Sequence, residues 1–203
     1  MCNRYGYNNP LHRLREMFEQ VDLHFAGPAP NLEPREEIRP TDPAPLVRAE
    51  AGVIRLEEVK WGFSPARPKA APVINFRSEG RTFGRGRALA PASHFFEFTE
   101  PADRKQKRKD QWRFTATDSD LFAMAALWRP AQADWPPSFT LLTREPGPDI
   151  APYHNREIII LPESLWRAWL TGESVEGDDL PPLPAGSLQV LKTWPLAEEA
   201  RLL

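Results

Sequence analysis

Proline occupies 23 of the 203 positions, more than twice its usual share of about 5%. Each proline fixes φ, removes a backbone donor and is excluded from helix interiors. A chain interrupted this often cannot build long helices. The expected architecture is a set of short strands joined by stiff loops. The length fits one domain by the usual measure of about 100–200 residues per domain and is enough to bury a core.

Hydrophobic patterning fills in the elements. Asn9 reads as an N-cap and Pro10 as the first helical residue, followed by Leu11, Leu14, Phe18 and Val21 at helical spacing. Gly27 to Pro45 has no period and is expected as a loop. Leu46–Val47 and Gly52–Trp61 are expected as strands, with a hairpin turn at Ala51–Gly52. Val73–Phe76 is expected as a short buried strand, Ser78–Phe83 as a short helix, and Ala88–Phe98 as one central strand. Thr99–Asp110 should form a charged hairpin tip between strands. Trp112–Thr117, Leu121–Trp128, Ser138–Thr143 and Ile158–Leu161 read as strands, with a helix left open for Leu121–Trp128. Pro162–Leu170 is a helix stopped by Gly172. Gly177–Gly186 is a proline-rich acidic loop, Leu188–Trp194 a strand closing the sheet, and the last residues loose. No internal repeat is present. The fold class is α+β: one strand-dominated domain over residues 1–203, with curved or barrel-like antiparallel sheets and a few short helices.

Cysteine occurs once, at position 2, so no intramolecular disulfide can form. Met1 is removable before so small a residue, and a mature chain starting at Cys2 would carry an α-amine two bonds from a thiol. These groups titrate near ~8 and ~8.5. Together they capture an aldehyde, first as an imine and then as a five-membered thiazolidine ring. No other residue offers that chemistry. The start MCNRYGYNNP lacks the apolar region of a signal peptide, and no run reaches the ~20 apolar residues of a membrane span. A cytoplasmic chain, with no membrane association, is expected. The net charge of −2 does not announce a nucleic-acid binder, but Arg77, Arg81, Arg85 and Arg87 form one basic cluster and residues 104–109 another. Acid gathers at Glu33, Glu36 and Glu37 and over Glu173–Asp179.

Four polar interruptions of apolar surroundings carry candidate chemistry. They are Cys2-Asn3-Arg4, Asn75-Phe76-Arg77-Ser78-Glu79, His94-Phe95-Phe96-Glu97-Phe98 and Pro152-Tyr153-His154-Asn155-Arg156. Asn75 and Arg77 share one side of a strand. Glu97 stands among aromatics, where a carboxyl pKa rises toward neutrality. No set of side chains has metal-ligand spacing, so neither a metal nor another cofactor is expected.

These segments resemble the SRAP family, named for SOS-response-associated peptidases. Its Met-Cys-Gly-Arg start is similar to Met1-Cys2-Asn3-Arg4, and its Arg-Trp-Gly-Leu motif to Lys60-Trp61-Gly62-Phe63. Asn-Ala-Arg-Ser-Glu is matched by Asn75–Glu79, and Phe-Tyr-Glu-Trp by Phe95–Phe98. The loop histidine before Arg-Met-Pro is matched by His154, Arg156, Glu157 and Ile158. The Phe-Ala-Gly-Leu-Trp strand has its counterpart at Phe122–Trp128. The likeness is clearest over residues 1–170, with 171–203 as a C-terminal extension.

The resemblance implies an abasic-site sensor of the DNA damage response. Such a protein binds single-stranded DNA and joins its N-terminal cysteine to the abasic sugar through a thiazolidine, a lyase-like covalent chemistry. It also implies roles: Cys2 supplies both nucleophiles, Asn75 holds the adduct, Glu97 moves protons and His154 assists opening of the sugar ring. Arg77 grips a phosphate, with Arg4, Arg81 and the 104–109 cluster as further contacts, and Trp61 stacks on a base. A monomer is expected. Asn3, Lys60, Phe76, Phe98 and Glu157 depart from the family pattern. Two rival readings are a thiol peptidase acting at its own N-terminus and a non-covalent DNA- or protein-binding module.

Overall fold

The computed structural model describes residues 2–195 apart from Ala29, Arg104 and Glu173. Met1, Arg104 of the basic cluster, Glu173 of the acidic segment and the final residues 196–203 therefore lie outside the described residues. In chain order the elements are β1 (Tyr5–Tyr7), α1 (Leu11–Gln20), β2 (Arg35–Ile38), β3 (Pro43–Glu50), β4 (Val53–Trp61) and β5 (Asn75–Arg77). They continue with β6 (Thr82–Phe83), β7 (Arg87–Ala92), β8 (His94–Thr99), β9 (Asp110–Ala116), β10 (Phe122–Arg129) and β11 (Ser138–Arg144). The last are β12 (Glu157–Ile158), β13 (Ile160–Leu161), α2 (Glu163–Thr171), β14 (Val175–Glu176) and β15 (Leu188–Trp194).

Strands β11, β4, β3, β7 and β10 pair in sequence, and β10 returns to β11, closing a barrel. A second sheet has the order β15-β9-β8-β1-β2. This is the strand-dominated α+β architecture expected, with two exceptions to antiparallel pairing: β4 and β5 both run parallel to β11. The β3–β4 hairpin turns at Ala51–Gly52, where φ is +50° and +79°. Positive φ at both turn residues matches the right-handed twist of the flanking strands. Helix α2 lies on β7, with the Trp169 indole donating to the Ala88 carbonyl at 2.8 Å. Phe18 of α1 stacks on Trp166 with ring centroids 4.5 Å apart. Among the described residues no helix is long and apolar enough to cross a membrane.

The single strand expected over Ala88–Phe98 is two strands in different sheets. The Ser93 N–H donates to the Gly6 carbonyl at 2.8 Å, and its hydroxyl accepts the Asn8 N–H at 2.9 Å. These bonds pull the chain out of the barrel and into the second sheet. Asn9 does not cap α1; its amide reaches the Asp120 carbonyl at 2.8 Å, and Pro10 takes the cap position. The proline-rich stretch before Leu46 contains β2 and the start of β3. There Pro43 and Pro45 oppose β4, while β7 pairs only Val47 and Arg48, so their missing N–H groups interrupt no ladder.

Ser78–Phe83 is a turn followed by β6 rather than a helix, because the Ser78 N–H is taken by the Thr143 carbonyl and the Gly80 N–H by Asp178. The buried strand expected at Val73–Phe76 begins at Asn75 and is half-buried. Ile158–Leu161 divides between partners, β12 joining β11 and β13 joining β10. Leu121–Trp128 resolves as a strand, its alanines buried between β7 and β11. The C-terminal β15 adds an outer edge beside β9 and closes nothing.

Two local devices set the parts that surround the N-terminus. Gly62 has φ +118°, and a Cβ there would meet the Pro72 Cβ at 2.9 Å. Its N–H donates to the Phe139 carbonyl at 2.7 Å, fastening the end of β4 to β11. The second device is Arg156, which grips Glu79 through two bonds of 2.6 and 2.8 Å and donates to the Thr143 carbonyl at 2.9 Å. It ties the loop preceding β12 to the end of β5.

Gly62→Ala should destabilise the fold by about 1–3 kcal/mol, from strain at positive φ together with the Pro72 clash; chemical denaturation measures it. The Arg156 guanidinium holds Glu79 down at about 2, against the ordinary 4.5. A depressed carboxyl pKa stabilises fully above the unfolded value and loses that effect as pH falls through the folded one. Glu79→Gln should therefore lower Tm at pH 7, by the equivalent of about 1–3 kcal/mol. The difference from wild type should shrink steadily between pH 5 and pH 2 in thermal denaturation.

Candidate active site

Chain termini usually fray, yet Cys2 is only 1% exposed. Residues 2–4 are held as an extension of β1 along β8. The Cys2 thiol donates to the Arg4 carbonyl at 3.0 Å, and the Phe96 N–H donates to the same carbonyl at 2.9 Å. From the other side the Asn75 amide donates to the Cys2 carbonyl at 2.8 Å. The Cys2 N–H donates to the Glu97 carboxylate. Two sheets thus converge on one residue, β8 supplying Glu97 and β5 supplying Asn75. The Asn75 Oδ1 is buried and, among the described residues, accepts no hydrogen bond.

Electrostatics follow from burial. Desolvation pushes the Cys2 thiol up to about 12, and the Glu97 charge adds in the same direction. The thiol is therefore protonated at neutral pH. Glu97 is 2% exposed; burial pushes its carboxyl up to about 7, against the hydrogen bond from the Cys2 N–H that favours the charged form. Such a group exchanges a proton readily near neutrality. Burial lowers the His154 pKa, helped by the nearby charges of Arg156 and Lys109. The Arg156 N–H donates to His154 Nδ1 at 2.9 Å, which leaves the proton of the neutral ring on Nε2. The His154 loop is anchored by Tyr153, whose ring packs on Trp112 and Phe114 of β9 at 4.8 and 5.2 Å.

Above these groups opens a cleft of about 420 Å³ lined by Asn3, Arg4, Glu97, Phe98, Arg108, Lys109 and His154. Arg4 crosses the Phe98 ring at 5.3 Å and pairs with Glu37 at 2.9 Å. A nitrogen and a thiol on one residue, beside a carboxyl that titrates near 7 and a neutral imidazole, can add to a carbonyl and manage the protons. Cys2, Asn75, Glu97, His154 and Arg4 are the residues this arrangement brings together.

The other residues singled out in the sequence stand apart. Arg77 is exposed at the end of β5. Arg81 is exposed outside the cleft lining, its guanidinium 4.4 Å from the centre of the Phe76 ring. Trp61 offers no face to a base. It is wholly buried, its indole donates to the Ile74 carbonyl at 3.0 Å and its ring meets Tyr5 at 5.0 Å. It forms part of the wall behind Asn75. Arg156 carried no role in the sequence reading; its place two residues after His154 is a signal only once the loop geometry is known. Arg108 and Lys109, weak members of a charged cluster in the sequence, line the cleft itself.

The family model described as SOS response associated peptidase (SRAP) matches residues 1–199. Abasic site processing protein YoaM of Bacillus subtilis is 26% identical over 195 residues, covering 89% of this chain and 83% of that protein. Abasic site processing protein YobE of the same organism is 24% identical, covering 89% and 86%. A solved protein of Bacteroides thetaiotaomicron superposes with a TM-score of 0.69 at 12% identity, covering 94% of this chain and 91% of that one. A phage-related protein of Bordetella bronchiseptica superposes with a TM-score of 0.68 at 20% identity, covering 95% and 94%. The match over nearly the whole length places this chain in the SOS response associated peptidase (SRAP) family.

Proposed function

We propose that this protein processes abasic sites in DNA by covalent capture. It binds single-stranded DNA and joins the mature N-terminal Cys2 to the aldehyde of the ring-opened abasic sugar as a thiazolidine, shielding the lesion. The observation that carries this reading is the placement of Cys2. Its nitrogen lies at Glu97, its carbonyl is held by Asn75 at 2.8 Å, and its thiol is buried beneath a cleft lined by Arg4 and His154. The abasic-site names of the relatives point the same way.

The chemistry of an aminothiol orders the steps. The amine attacks first, because only an imine gives the thiol a C=N bond to close into the five-membered ring. Glu97, near 7, takes a proton from the α-ammonium and returns one to the departing hydroxyl. The thiol then adds to the imine carbon, its proton passing to the new ring nitrogen. The neutral His154 donates from Nε2 to the sugar oxygen released on ring opening. The unsatisfied Asn75 Oδ1 accepts from the amine or a sugar hydroxyl. Arg77, exposed at the end of β5, meets the DNA backbone outside the cleft. Self-processing by a thiol peptidase would need a thiolate, which burial and the Glu97 charge both oppose.

Mature protein incubated with single-stranded DNA bearing one abasic site should give a shifted band on a denaturing gel, and Cys2→Ala should give none. A wild-type protein with Met1 removed and no shifted band would sink the capture mechanism; salt-sensitive binding without an adduct would point to a non-covalent module. Glu97→Gln should slow adduct formation by about a hundredfold. It should also abolish the inflection near pH 7 in the rate profile, measured by quenched gel time courses.

A further inference from the structure

The cleft holds cations that the proton transfers do not use. Two are neutralised, Arg4 by Glu37 at 2.9 Å and Lys109 by Glu100 at 2.6 Å. Arg108 is different. Its guanidinium lies over the Trp194 ring, 4.4 Å from the centroid, and donates to the uncharged Gln111 side chain at 3.1 Å. Among the described residues it has no ion pair. Gln111 on β9 pairs with Trp194 on β15 just past a shift in register after Lys192, and Lys192 ties β15 to Asp110 at 2.6 Å. Stacking fixes the plane of a guanidinium and leaves its edge free for a planar, bidentate anion. The same hairpin sets Arg108 relative to Glu97, since β8 and β9 pair from Phe95↔Phe114 to Thr99↔Asp110.

An uncompensated arginine across a cleft from an aldehyde-capturing residue defines a ligand. We propose that the site takes phosphorylated sugar aldehydes as a class, with Arg108 holding the phosphate while the aldehyde reaches Cys2. This rests on the Cys2 chemistry proposed above and names its substrate more narrowly. An abasic site in DNA is one source of the group; a free pentose phosphate is another. The cleft, at about 420 Å³, is within the range of small-molecule sites. In the reaction the amine adds to the aldehyde carbon and one water leaves as the imine forms. The thiol then adds across the C=N bond and its proton moves to nitrogen. Nothing is oxidised or reduced, the phosphate ester stays intact, and the product is protein plus sugar minus one water.

Intact-mass time courses on the full mature chain test this. The probes are 2-deoxyribose 5-phosphate, 2-deoxyribose and a single-stranded oligonucleotide with one abasic site; a synthetic peptide of residues 2–7 gives the background. The peptide sets the intrinsic ratio of phosphorylated to plain sugar, because the 5-phosphate blocks pyranose closure and leaves more free aldehyde. The protein's ratio should exceed it about tenfold, the worth of one charge-assisted hydrogen bond, and Arg108→Gln should return it to the peptide's value. If the oligonucleotide reacts but the protein's ratio is no higher than the peptide's, the inference is overturned and the capture of abasic DNA stands. If Arg108→Gln keeps the excess, the assignment to Arg108 is wrong. If no probe reacts with a chain shown by mass to start at Cys2, the capture chemistry falls, and this inference with it.

Discussion

The structure depends on the docking of residues 2–4 against β8. An N-terminal segment has few neighbours and much entropy to lose, so it stays ordered only when its backbone groups find fixed partners. Here the Arg4 carbonyl accepts from the Phe96 N–H and the Cys2 thiol, the Cys2 carbonyl accepts from Asn75, and the Cys2 N–H reaches Glu97. These bonds together hold Cys2 in place beside Glu97 and Asn75.

The docking is supplied by the seam between two sheets. Glu97 belongs to the sheet that carries β1, while Asn75 belongs to a strand at the rim of the barrel. The break at Ser93 lets one apolar run serve both sheets, with β7 inside the barrel and β8 behind Cys2. His154 is placed from both sides, by Tyr153 packing on β9 and by the Arg156–Glu79 pair at the end of β5. A seam is also where a carboxyl is taken out of water, and that burial raises the Glu97 pKa toward neutrality.

The positions that depart from the family pattern are accommodated individually. Glu157 is 4% exposed; burial raises its pKa, while the Gly147 N–H donates to its carboxylate at 2.5 Å. It therefore fastens the loop that leads to His154. Lys60 lacks the planar fork of arginine and lies 4.1 Å from the Trp135 ring centre instead. Phe76 supports the Arg81 guanidinium, and Phe98 supports Arg4. Asn3 is exposed at the cleft, where added bulk meets solvent rather than protein.

Much of this protein was legible in one dimension. Proline frequency excluded long helices, short apolar runs marked most strands, and the Ala51–Gly52 turn announced its hairpin. A lone cysteine at position 2 made aminothiol chemistry the leading expectation, beside a thiol peptidase and a non-covalent module. Motif order added Asn75, Glu97 and His154, because each is a polar residue standing in an apolar segment. Other features needed the third dimension. Patterning could not show that Ala88–Phe98 divides at Ser93, since both halves are equally apolar and the break comes from hydrogen bonds to residues 6 and 8. Nor could it show that Trp61 is sealed behind Tyr5 and Ile74, that Arg156 braces the histidine loop, or that Arg108 lines the cleft with no ion pair among the described residues. Local sequence records which residue types can form a strand or move a proton. Burial, register and charge compensation depend on partners distant in the chain, and only the packing of the two sheets decided those.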